Sequence, residues 1–137
     1  MSFVVDISLA AAWILPDEAS PEGDRLLDGL QGSGVATVPS LFWYEARSLL
    51  TTAERRGRID LGAAALHMAV VRRLPIVDKG IGDDGRVLDL ARSRNLSAYD
   101  ATYLALALAA QLPLATLDRR LAEAARAEGV TILGPLA

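Results

Sequence analysis

The chain has 137 residues, 52% of them hydrophobic and 23% charged, which suits one compact domain with a real core and excludes a disordered or fibrous chain. It contains no cysteine, so disulfides, thiolate metal sites and a cysteine nucleophile are excluded together. The net charge of −3 argues against a strongly basic nucleic-acid binder, yet it becomes +1 once four unusually placed acids are set aside.

Residues 3–6 read as a first strand, apolar without alternation and therefore buried on both faces. Ser8 is expected to cap a helix over 8–15, which Pro16 ends. A second, amphipathic helix over 18–30 turns Leu26, Leu27 and Leu30 inward. Gly32 and Gly34 mark a turn before a strand over 35–38. Pro39 and Ser40 open a long helix to about residue 56, with Gly57 in the stop position. Asp60 is expected to cap a helix to about 73, followed by a strand over 74–77 and a helix over 81–94. Ser97 caps an apolar helix over 98–111. A strand over 114–117, a helix over 119–128 and an edge strand over 130–133 complete the chain. The alternation predicts an α/β fold: a central, mostly parallel sheet of four to five strands flanked by helices on both faces.

Nothing at the N-terminus resembles a signal peptide. The uncharged stretch 101–117 is interrupted by Gln111 and Pro113 and falls short of the roughly 20 apolar residues of a spanning helix. A soluble, cytoplasmic protein is expected, without a membrane partner.

The four acids are Asp6, Glu45, Asp100 and Asp118. Asp6 ends the first apolar run, and Asp118 closes Leu114-Ala115-Thr116-Leu117. Asp100 opens a helix with no other charge, while Glu45 follows Leu41-Phe42-Trp43-Tyr44. Asp6, Asp100 and Asp118 can each be explained singly as helix caps. Glu45 cannot, because it shares a helix face with Leu41, Phe42 and Leu49, while Arg47 points elsewhere. In a parallel sheet, Asp6 and Asp118 fall at strand C-termini, where sites form. Crowded carboxylates cannot all stay ionised without a cation. Oxygen ligands without cysteine point to magnesium or manganese, and to hydrolysis of a phosphodiester. Ser8 and Thr116 each lie two residues from a site acid and could orient a ligand or a water.

Other features carry less. His67 is the single histidine and cannot by itself make a zinc site or a triad. The run Gly80-Ile81-Gly82-Asp83-Asp84-Gly85 lacks the Lys-Ser/Thr pair of a phosphate-binding loop, and Asp83 and Asp84 are expected in a solvated loop or a cap. Trp13, Phe42, Trp43 and Tyr44 are expected in the core or an interface.

The segments Val4-Val5-Asp6-Ile7-Ser8, Val38-Pro39-Ser40-Leu41 leading to Glu45, Leu96-Ser97-Ala98-Tyr99-Asp100-Ala101 and Leu114-Ala115-Thr116-Leu117-Asp118 resemble, in order and spacing, the PIN-domain ribonucleases, specifically the VapC toxins of toxin–antitoxin pairs. The resemblance covers the whole chain and implies a single PIN domain over 1–137. It implies an Mg2+- or Mn2+-dependent endoribonuclease acting on structured RNA of the tRNA or rRNA class, a homodimer, and a VapB-type antitoxin that pushes a basic side chain into the acids. Asp6, Glu45, Asp100 and Asp118 map onto the family's acidic quartet, with Ser8 and Thr116 in support. Two departures stand out. Ile7 replaces a small residue or threonine, and Arg119-Arg120-Leu121 follow Asp118 where a further acid or asparagine is common, which favours one ion over two. Two other functions compete: a catalytically inactive PIN-like module that only binds RNA or protein, and a phosphotransfer enzyme with Asp6 as nucleophile. The second lacks an acid at position 8, and its only lysine is Lys79.

Overall fold

The computed structural model describes residues 1–137. Five strands form one sheet in the order β3-β2-β1-β4-β5, every neighbouring pair parallel. They are β1 (Phe3–Val5), β2 (Ala36–Val38), β3 (Ile76–Asp78), β4 (Leu114–Ala115) and β5 (Ile132–Leu133). The connecting helices are α1 (Ile7–Ile14), α2 (Pro21–Asp28), α3 (Leu41–Arg55), α4 (Ala63–Val71), α5 (Asp84–Ser93), α6 (Ala98–Ala110) and α7 (Arg119–Ala127). No helix is long and apolar enough to cross a membrane.

The first strand shows why alternation was missing. Phe3 and Val5 pack into a cluster with Leu9, Phe42, Ala46 and Leu50, whereas Val4 joins Leu104, Leu114 and Leu121 in a second cluster. Successive side chains of a strand point to opposite faces, so these clusters lie on the two sides of the sheet, α1 and α3 on one and α6 and α7 on the other. A strand covered on both sides has no polar face to show. In contrast, β3 at the sheet edge is only half-buried.

Several boundaries differ from the expectations, each for a local reason. Asp6, not Ser8, caps α1: its carboxylate accepts the Leu9 N–H at 3.2 Å, and Ser8 lies inside the helix. The helix expected over 18–30 is a 3-10 turn at Pro16–Glu18 followed by α2, because Ser20 and Pro21 restart the chain with a cap and an N1 proline. Gly62, at φ 88°, precedes α4, and Asp60 contributes its carbonyl to Ala63 rather than a side-chain cap. Gly80 and Gly82 have φ of 88° and 81°, which delays α5 until Asp83 caps it through the Arg86 N–H. The strand expected over 74–77 is displaced to β3, beginning past Pro75, and the one expected over 114–117 starts in place but ends after two residues.

Strand order fixes where the site can be. The chain leaves β1 toward β2 and β3 on one side, then crosses back to β4 and β5 on the other. The C-terminal ends of β1 and β4 therefore flank the topological switch point, the usual crevice for a site in an open parallel sheet.

Candidate active site

Asp6 follows β1 with its backbone N–H still bonded to the Ala115 carbonyl at 3.2 Å. Only 4% exposed, its carboxylate is surrounded by donors. The Ser8 hydroxyl donates to Oδ1 at 2.7 Å, the Leu9 N–H to the same oxygen, and the Thr116 hydroxyl to Oδ2 at 2.7 Å. Thr116 is itself buried just beyond β4, and its oxygen accepts the Asp118 N–H at 3.0 Å. Ser8 accepts the Leu117 N–H at 2.8 Å. Each hydroxyl therefore donates to Asp6 and accepts from the segment after β4, which locks the two strand ends together. Ser8 and Thr116 sit where their spacing from the acids places them.

Asp118 caps α7, taking the N–H groups of Arg120 and Leu121 on Oδ1 at 2.9 and 3.1 Å. Asp100 lies in the first turn of α6, which Ser97 caps by accepting the Asp100 N–H at 3.1 Å. Glu45 is one turn into α3 and half-buried, and it accepts the Tyr103 phenol at 2.5 Å.

The charges act on one another. Burial pushes the Asp6 carboxyl up to about 6 against its three hydrogen bonds, and the Asp118 charge adds to the rise. Burial also raises Glu45, with further repulsion from Asp6 and Asp100, while the Tyr103 bond works the other way. Asp100 is raised by burial and by Asp118, against the Ser97 hydroxyl and the more distant Arg120. The acids thus form one electrostatic group at the C-terminal edge of the sheet. The ion pairs of the fold join Arg25, Arg58 and Arg94 to other acids, and none neutralises this group.

The arrangement is looser than a closed metal cage. No three carboxylates or histidines stand close enough together to hold an ion directly. The donor set still fits a hard divalent ion: it is all oxygen, raised by burial and by neighbouring acids, and engaged in no ion pair. Magnesium characteristically keeps several waters and takes only one or two carboxylates directly, so spread acids suit it. A groove lined by Ile7, Glu45, Ser48, Thr52, Arg56 and Arg58 leads away from Glu45 along α3.

The other singled-out residues lie outside the group. His67 meets the Ile14 carbonyl through Nδ1 at 3.0 Å, a structural contact between helices. Phe42 is core, while Tyr44 is exposed beside Arg47, and Arg72 stacks on Trp43 at 3.9 Å. One residue escaped the sequence argument: Tyr103, in the apolar helix that Asp100 opens. Its signal was available, since it is three positions after Asp100 and a buried phenol needs a polar partner.

A family description, PIN domain, matches residues 3–127 of the chain. The exonuclease VapC9 of Pyrobaculum aerophilum is similar at 37% identity over 79 residues, and the chain spans only 58% of that curated relative. The crystal structure of PAE2754 from the same organism matches with a TM-score of 0.72 at 27% identity, over 96% of this chain and 83% of that one. Mycobacterium tuberculosis VapC20, described as a sarcin–ricin loop cleaving toxin, matches with a TM-score of 0.63 over 89% of this chain and 94% of its own, but at 18% identity the likeness is one of fold.

Proposed function

The chain belongs to the PIN-domain family, and from that premise we propose that it is a metal-dependent endoribonuclease, the toxin of a type II toxin–antitoxin pair. The observation that carries this reading is the electrostatic group itself: Asp6, Glu45 and Asp100, from separate parts of the chain, are raised first by burial and then by neighbouring acids, Asp118 among them, and no ion pair neutralises them. Such a group destabilises the protein unless a cation joins it. In the reading, Asp6, Asp100, Asp118 and Glu45 hold Mg2+, one or two of them directly and the rest through its waters, with Mn2+ as a substitute, and the whole of 1–137 is one catalytic domain. A bound ion of this kind activates water and stabilises charge on a phosphodiester. The chain's own part is positional. Ser8 and Thr116 fix both oxygens of Asp6, and the α7 cap fixes one oxygen of Asp118 while leaving the other outside the cap.

The substrate proposed is structured RNA of the tRNA or rRNA class, in the cytoplasm. VapC20, as described, cleaves the sarcin–ricin loop, which supports that choice. Arg56, in the groove beside Glu45, has no carboxylate partner and can meet the RNA backbone. The partners proposed are a second copy and a VapB-type antitoxin, whose basic side chain would supply the ion pair that the site acids do not make within the fold. The similar protein VapC9 is named an exonuclease, so the mode of cutting needs its own test. Circular RNA incubated with the full chain and Mg2+ should be linearised, with loss of cutting in EDTA and in Asp6→Asn and Asp100→Asn variants of unchanged circular dichroism. Full activity in both variants, or in EDTA, would overturn the proposal. Trimming of linear RNA with circles left intact would make the enzyme an exonuclease.

A further inference from the structure

We infer that Tyr103 is a positioning residue of the acidic site, holding the Glu45 carboxylate where an ion can use it. The inference rests on the metal-dependent reading and adds to it a residue outside the acidic quartet and its two hydroxyls.

The ring of Tyr103 is 1% exposed and packs in the same cluster as Val4, Leu104 and Leu121, on the α6 side of the sheet. Glu45 is on α3, whose inward residues Phe42, Ala46 and Leu50 belong to the cluster on the opposite side. The 2.5 Å bond from the phenol to Glu45 Oε1 therefore joins the two helical layers at the sheet edge. It is also the only protein hydrogen bond that Glu45's side chain makes. Remove it, and a flexible carboxylate repelled by Asp6 and Asp100 would be free to turn toward solvent along the groove.

The chemical type of the donor matters. An arginine or lysine in this place would fix Glu45 equally well, but its charge would occupy the role of the cation. A phenol is neutral at physiological pH and donates one hydrogen bond, so it orients the carboxylate without cancelling its charge. Packing alone does not require it, since phenylalanine would fill the same volume without burying a hydroxyl. Partners of this kind behind metal-binding side chains are worth about 10- to 100-fold in metal affinity.

The test is a double-mutant cycle read by Mn2+ titration calorimetry on the full chain without RNA, so that catalysis does not enter. Tyr103→Phe should weaken Mn2+ binding about tenfold in the wild-type background and have little effect in Glu45→Ala. A purely structural role would weaken binding equally in both backgrounds, and that result, or no weakening at all, would overturn the inference. Unchanged affinity in Tyr103→Phe with weakened affinity in Glu45→Ala and Asp100→Asn would reject Tyr103's role and leave the metal-dependent reading standing. Unchanged affinity in Glu45→Ala and Asp100→Asn alike would reject both. If Tyr103→Phe fails to fold, Tyr103→Met, equally without a donor, takes its place in the same cycle. Weakening of Mn2+ binding confined to the background that keeps Glu45 supports the inference, and equal weakening in both backgrounds, or none, overturns it.

Discussion

Asp6→Asn should make the metal-free protein more stable while abolishing its proposed activity. The Asp6 carboxyl stands at about 6 instead of the ordinary 3.8, chiefly through burial. A carboxyl raised by folding stabilises the native state below its unfolded value, and that contribution is lost as the pH climbs from about 4 through about 6. At roughly 1.4 kcal/mol for each pKa unit, the loss is about 3 kcal/mol and constant above that window. Asparagine is neutral throughout and remains a good helix cap. Its carbonyl oxygen can keep the bonds from Ser8 and Leu9, and its amide can donate to Thr116, whose proton then turns elsewhere. Removing the charge also relieves Glu45, which feels it directly. In EDTA at pH 8 the variant should therefore gain about 2–3 kcal/mol in urea unfolding. That corresponds to a melting temperature on the order of 10 °C higher. At pH 4 the gain should vanish. Saturating Mg2+ should then close or reverse the gap at pH 8, because binding to the native state stabilises only the protein that binds. A variant no more stable than the wild type at pH 8 in EDTA, or equally stabilised at pH 4, would refute the claim that Asp6 is a stressed acid.

Two further substitutions separate support from ligation. Thr116→Val removes a buried donor to Asp6 and the acceptor of the Asp118 N–H; it should cost about 1–3 kcal/mol in chemical denaturation, with Thr116→Ser recovering most of the loss. Asp118→Ser replaces one good cap by another, so its thermal melt in EDTA should lie within about 1 kcal/mol of wild type, while the melting shift produced by Mg2+ should shrink or disappear.

How much of this could be read from sequence depends on which interactions are local. Strand and helix order followed from apolar runs and turn residues, because burial and caps act over a few positions. Phe3-Val4-Val5 announced a strand covered on both faces, and Ser97 announced the start of α6. The second helix was misjudged because the spacing of Leu26, Leu27 and Leu30 reads as one amphipathic helix, and only the Ser20-Pro21 pair marks the restart. The switch point between β1 and β4 is a property of strand order, which no local pattern encodes. Tyr103 was missed for the same reason. Its partner Glu45 lies 58 residues away, on another helix.

The caps carry the deeper point. Asp6 and Asp118 were each explicable as a cap instead of a site residue, and Ser8 was the expected cap of the first helix. The structure removes the opposition. A helix N-terminus presents unsatisfied N–H groups that hold a carboxylate in one orientation. For Asp118 they engage Oδ1 alone, so the same bonds that start α7 leave Oδ2 outside the cap. For Asp6, the cap bond and the two hydroxyls fix a buried anion that burial would otherwise neutralise more completely. Capping is thus the means by which short strands, only two or three residues long, hold acids rigid at the sheet edge. An acid that reads as an ordinary cap at the end of a parallel strand is a stronger site candidate when a buried hydroxyl from the neighbouring strand also donates to it. Asp6 meets that condition through Thr116.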